Sequence, residues 1–152
     1  VGRPHFAQAM VGRGYVKSKE AAFDLYLAKG KPAYTERFRM TPADGIAAVR
    51  AAGGLAVLSH PFTLGLAPEA LRAVVADLVA GGLRGIEAYY SEHSPEQTQQ
   101  YLALAQEWHL VATGGSDFHG EGNPAITLGR GFGGLHVPDS VIGELEKARV
   151  KG

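Results

Sequence analysis

Leu110-Val111-Ala112-Thr113-Gly114-Gly115-Ser116-Asp117-Phe118-His119-Gly120 runs from an apolar strand-like segment into a loop that carries a carboxylate and an imidazole two residues apart. The glycines and polar residues after Thr113 mark where a strand has to stop. Two further apolar runs lie upstream: Leu55-Ala56-Val57-Leu58, which ends in Ser59-His60-Pro61, and Gly85-Ile86-Glu87-Ala88-Tyr89-Tyr90. A helical segment precedes each of the three. Thr41-Pro42-Ala43-Asp44 supplies a capping hydroxyl, a proline at the first helical position and an early acid, predicting a helix to about Ala52 that stops at Gly53-Gly54. A second helix is expected from about Pro68 to Ala80, and a third opens at the capping box Ser94-Pro95-Glu96-Gln97 and runs to about His109. Alternating helices and strands predict an α/β fold whose parallel strands are joined by right-handed crossovers. In such sheets the binding and catalytic groups collect at the carboxyl ends of the strands. His60, Asp117 and His119 are therefore candidates for one site.

Outside this region the chain predicts two short helices over residues 4 to 11 and 18 to 29. Ser18 is the N-cap of the second and Gly30 closes it. Residues 31 to 40 form a basic connector. After Asp117-Phe118-His119 come a glycine-rich loop from Gly129 to Gly134 and a last helix from about Asp139 to Ala148.

The chain has 152 residues, 45% of them hydrophobic, which is enough for one domain with a core and too few for a complete eight-unit barrel. Fifteen basic and fifteen acidic residues cancel, so the overall charge requires neither nucleic acid nor an anionic membrane. With no cysteine, every metal ligand must be nitrogen or oxygen, and a reducing cytoplasm is the expected location. No apolar run is long enough for a membrane span. The chain opens on Val1, and the expectation is a fragment with sequence upstream.

Proline after His60 restricts that residue's backbone, which suits a rigid ligand. Residues two apart in extended chain point the same way, so Asp117 and His119 can converge on one ion. Imidazole and carboxylate together suit zinc, manganese or iron. Glu87 and Tyr89 share one strand face and Ile86, Ala88 and Tyr90 the other, with Glu87 expected to support a ligand. Lys29, Lys31, Arg37 and Arg39 are read chiefly as solvated surface, with a nucleic-acid backbone as the other use. His93, His109, His136 and Trp108 show no partnering pattern and are expected to be structural.

Five ordered segments carry a resemblance that spacing alone does not supply. They are Gly2-Arg3-Pro4-His5-Phe6-Ala7, Lys29-Gly30-Lys31-Pro32-Ala33-Tyr34, Gly54 to Pro61, Gly85 to Tyr90, and Gly115-Ser116-Asp117-Phe118-His119-Gly120. Together they resemble the PHP (polymerase and histidinol phosphatase) family, in its nucleotide phosphoesterase and 5'-to-3' exoribonuclease branch. The resemblance implies part of a distorted (β/α) barrel with parallel strands, residues 41–152 forming the barrel's C-terminal part and residues 1–40 a helical insert or lid. It implies a phosphoric ester hydrolase in which His60, Asp117 and His119 are metal-binding and catalytic, with Mn2+, Zn2+ or Fe2+ as cofactor and metal-activated water as nucleophile. Nucleotides or short oligonucleotides are the implied substrates. Arg3 and His5, opening the first helix, are the expected contacts to substrate phosphate. Family members begin with a His-x-His strand and further ligands that this sequence lacks, so the activity is expected of a longer parent. The alternative is a noncatalytic remnant that binds or docks. Exposed strand edges predict self-association.

Overall fold

The computed structural model describes residues 2–36, 39–120 and 124–150. Arg37, from the basic connector, lies outside the described residues. The chain divides into two compact units, one ending at Arg39 and the other beginning at Met40.

In the first unit, α1 spans Arg3–Gly12 and α2 spans Lys19–Ala22. The Ser18 hydroxyl accepts the Ala21 N–H at 3.1 Å, the cap expected from sequence. The helix expected to run to residue 29 does not continue as an α-helix. Phe23–Leu27 widens into a π turn, closed by Ala28 N–H donating to the Phe23 carbonyl at 2.9 Å, and Ala28 is already extended. Ala7, Val16, Ala22 and Leu27 form this unit's own small core.

The second unit holds β1 (Val57–Leu58), β2 (Gly85–Tyr90) and β3 (Val111–Gly115), all parallel in the order β1-β2-β3. The α/β class and the parallel strands follow the sequence expectation. Helices α3 (Pro42–Ala51), α4 (Pro68–Ala80) and α5 (Pro95–Glu107) precede the three strands in turn, and α6 (Ser140–Val150) follows them. Thr41 caps α3 by accepting the Asp44 N–H at 3.1 Å, and Ser94 and Gln97 form the reciprocal box that starts α5. Strand β1 is shorter than its apolar run, although the Ala56 carbonyl still accepts from Arg84 and Gly85. Strand β3 runs two residues beyond Thr113.

The core lies between this sheet and its helices and includes Ile46, Leu71, Val75, Ile86, Ala88, Tyr101 and Leu104. Ile86 is completely buried, which contributes roughly 2–3 kcal/mol from its apolar surface. A β-bulge separates Glu87, paired with Thr113, from Tyr89, paired with Gly114. The extra residue is Ala88. No side chain fits at Gly114, where a Cβ would stand 2.5 Å from both Cβ and carbonyl oxygen of Tyr89. Close approach of β3 to the bulge therefore depends on glycine. No helix among the described residues is long and apolar enough to cross a membrane.

Candidate active site

All three parallel strands release their chains at the same end of the sheet, so the loops after β1 and β3 flank the end of β2. His60, two residues beyond β1, sits in the left-handed region at φ 31, ψ 61. Proline at 61 disfavours the right-handed helical conformation there. A non-glycine residue in the left-handed region costs roughly 1–3 kcal/mol, so it persists only where its surroundings impose it. Glu87 on β2 supplies much of that constraint, accepting the His60 N–H at 2.6 Å. The supporting role expected of Glu87 thus has a definite target: the backbone of His60 rather than its ring.

The Thr63 hydroxyl fixes the ring. It donates to the His60 carbonyl at 2.9 Å and lies 3.3 Å from His60 Nδ1. With the hydroxyl proton on the shorter carbonyl contact, the hydroxyl oxygen is free to accept from Nδ1–H. In that tautomer the His60 lone pair is on Nε2. His119 is arranged in the same way: its Nδ1 lies 2.7 Å from the Asp117 carbonyl, which can only accept, so Nε2 again carries the lone pair. A histidine whose Nδ1–H is tied to an oxygen acceptor is oriented as a metal-ligating imidazole is.

Asp117 is the second left-handed non-glycine residue at this end of the sheet, at φ 55. Its Oδ2 accepts from the Tyr90 hydroxyl at 3.0 Å, and its Oδ1 lies 3.7 Å from His119 Nδ1. Buried Ser116 anchors the loop just before it. Its hydroxyl accepts the Gly129 N–H at 3.1 Å, and its carbonyl accepts the Ser91 hydroxyl at 3.0 Å.

Tyr90 joins the candidate site although the sequence pattern did not single it out. Its ring stands 5.8 Å from that of His60 while its hydroxyl donates to Asp117, so one side chain contacts both candidate loops. Burial, reinforced by the Asp117 hydrogen bond, pushes its pKa up to about 12, which keeps it a neutral donor. The signal was present in its position: the last residue of the middle strand lies between the ends of its two neighbours. His93 packs between Phe62, Tyr90 and Tyr101 with Nδ1 2.9 Å from the Ala88 carbonyl, and its Nε2 is buried without a partner among the described residues.

Among the described residues no group of three or more His, Cys, Asp or Glu is gathered into a ready metal cluster. The donor chemistry nevertheless fits a divalent ion: two oriented Nε2 lone pairs and one carboxylate oxygen left by Tyr90. Arg3 and His5 lie in the first unit and serve its structure. Arg3 donates to the Leu27 carbonyl at 3.2 Å and its guanidinium stacks 5.8 Å from the Phe23 ring and 5.6 Å from the Tyr34 ring. His5 Nδ1 accepts the Gly2 N–H at 3.0 Å, satisfying a free donor at the start of α1.

Similarity to known proteins defines the class: the chain is related to PHP-type metal-dependent phosphoesterases. Among particular relatives, it is 32% identical over 129 residues to a 3',5'-nucleoside bisphosphate phosphatase of Chromobacterium violaceum, a match covering 85% of this chain and 45% of that protein. It is 37% identical over 130 residues to the 5'-3' exoribonuclease Rnm of Escherichia coli, covering 86% of this chain and 44% of that one. Its fold superposes on a solved metal-dependent phosphoesterase structure from Bifidobacterium adolescentis with a TM-score of 0.71 at 31% identity, covering 97% of this chain and 50% of that one. The chain therefore spans about half the length of these relatives. No family model matches it.

Proposed function

We propose that this chain takes part in metal-dependent hydrolysis of nucleotide or short-oligonucleotide phosphate esters in the cytoplasm, with His60, Asp117 and His119 as the metal ligands. The observation that carries this reading is the matched orientation of His60 and His119, each with Nδ1 tied to an oxygen and Nε2 left as the donor. Both relatives named above act on nucleotide or RNA phosphates by name, which supports the substrate class. A bound Mn2+, Zn2+ or Fe2+ lowers the pKa of water and neutralises charge on the phosphoryl oxygens. The protein's part is placement. Glu87 holds the backbone of His60, Tyr90 holds one oxygen of Asp117, and the Asp117 carbonyl orients the His119 ring. The free guanidinium donors of Arg3, with His5, are assigned to substrate phosphate, and residues 1–40 to a lid.

Purified chain supplied with Mn2+ and assayed on a 3',5'-bisphosphonucleotide and on p-nitrophenyl phosphate tests the proposal. Turnover abolished by His119→Ala supports it. One observation favours a second reading, a noncatalytic docking module: no three-ligand cluster is gathered among the described residues. Flat baselines on both substrates with a cooperative unfolding transition would select that reading. Self-association through the outer edges of β1 and β3 belongs to the same proposal, and a single monomeric species by light scattering at high concentration contradicts it.

A further inference from the structure

The opposite end of the sheet carries its own cluster. Gly53 and Gly54 lead into the first apolar run, Arg84 immediately precedes β2, and Trp108 and His109 lie just before β3. A cavity of about 380 Å³ here is lined by Arg50, Gly53, Gly54, Arg84 and Arg149. A second, of about 490 Å³, is lined by Arg84, Trp108, His109, Glu144 and Lys147. Arg84 lines both. None of Arg50, Arg84, Arg149 and Lys147 forms a salt bridge among the described residues. Arg84 has only a long 3.4 Å hydrogen bond to the carbonyl of its own neighbour Leu83. The indole Nε1 of Trp108 is buried without a partner, and an indole N–H can only donate. A buried donor left unpaired costs roughly 1–3 kcal/mol, so it calls for an acceptor.

A simpler account exists for part of this. Arg50, Lys147 and Arg149 stand in the last turns of α3 and α6, where cations complement the helix dipole. It does not cover Arg84, which belongs to no helix, or the unpaired indole. Nor does it explain why cations from two helices and a loop line adjoining cavities.

We propose that this end of the sheet is a second binding site, for a ligand bearing two or more phosphate groups, with Arg84 bridging the two cavities. Guanidinium groups match phosphate oxygens with paired, charge-assisted hydrogen bonds. The phosphates could come from a free phosphorylated small molecule or from successive residues of an oligonucleotide backbone. The site lies at the far end of β2 from the candidate catalytic loops, on the order of 20 Å for a strand of that length. It does not depend on the hydrolytic reading.

Trp108 is the only tryptophan of the chain, so its fluorescence reports on this site alone. The full chain is titrated at constant ionic strength with inorganic pyrophosphate and, separately, with a ten-residue oligoadenylate, with calorimetry run alongside. The expected result is a saturable Trp108 signal whose Kd rises about tenfold or more in Arg84→Gln, the loss of roughly one charge-assisted hydrogen bond. Arg84→Lys should recover part of that loss, and His119→Ala should leave the titration unchanged. Tighter binding of the oligonucleotide identifies a nucleic-acid backbone as the source, and tighter binding of pyrophosphate a free phosphate. Absence of saturable heat with both probes, or equal affinity in wild type and a folded Arg84→Gln, overturns the proposal.

Discussion

At Tyr90 one side chain belongs to the core and to the candidate site at once. Its ring is buried in line with Ile86 and Ala88, and its hydroxyl reaches Asp117. Tyr90→Phe keeps the ring and removes the hydroxyl. It should cost about 1 kcal/mol in urea unfolding and weaken Mn2+ binding about tenfold or more, because Asp117 loses the group that orients it. Unchanged manganese affinity would show that Asp117 is oriented without it. The same residue has a pH signature. Its folded pKa is raised from 10 to about 12, so its contribution is complete below pH 10 and is lost as pH rises through about 12. Wild type should therefore lose stability between those values more steeply than Tyr90→Phe in alkaline unfolding curves. His109 is a third left-handed non-glycine residue, at φ 51, and it makes no catalytic contact. It stands just past α5, where Leu110 N–H donates to the Ala105 carbonyl at 2.8 Å in a helix-ending turn that favours glycine. His109→Gly should stabilise the chain by about 0.5–1 kcal/mol in the same assay, relieving left-handed strain at some cost in chain entropy.

Among the elements, the junction of β2 and β3 decides where the Asp117 loop starts. The bulge at Ala88 and the bare backbone of Gly114 let β3 continue to Gly115 beside Tyr90. Gly114→Ala would drive a methyl group into Tyr89 and should cost about 3 kcal/mol, read as a shift in the urea midpoint. A wild-type midpoint would mean the strands can separate without consequence. Much of the element pattern could be read from residues because caps and stops are local chemistry: Ser18, Thr41 and Ser94 all cap as their side chains predict. The bulge, the π turn at Phe23–Leu27 and the short β1 could not, because they depend on pairing and packing between segments far apart in sequence. The site divides along the same line. His60, Asp117 and His119 were marked by their position after apolar runs. Tyr90's reach to Asp117 was hidden because alternation placed it only on the strand face of Ile86 and Ala88, and the orientation of the histidine rings depends on hydrogen bonds to Thr63 and to the Asp117 backbone.

For the molecule as a whole, the two ends of one parallel sheet carry different side-chain chemistry. Acid and imidazole groups lie on the loops beyond the carboxyl ends, and guanidinium groups without a salt bridge among the described residues lie before the amino ends. The N-terminal unit has its own core and holds Arg3 within it, so Arg3→Ala should lower that unit's stability as well as any affinity for phosphate. Everything proposed for the carboxyl end depends on His60, Asp117 and His119 acting on one cation. Titration of the metal-free chain with Mn2+, followed by loss of the free-ion electron paramagnetic resonance signal, tests that directly. The expected result is saturable binding that weakens about tenfold or more in each of His60→Ala, Asp117→Ala and His119→Ala. No binding by the wild-type chain, or binding lost in His119→Ala but untouched in His60→Ala, would contradict it.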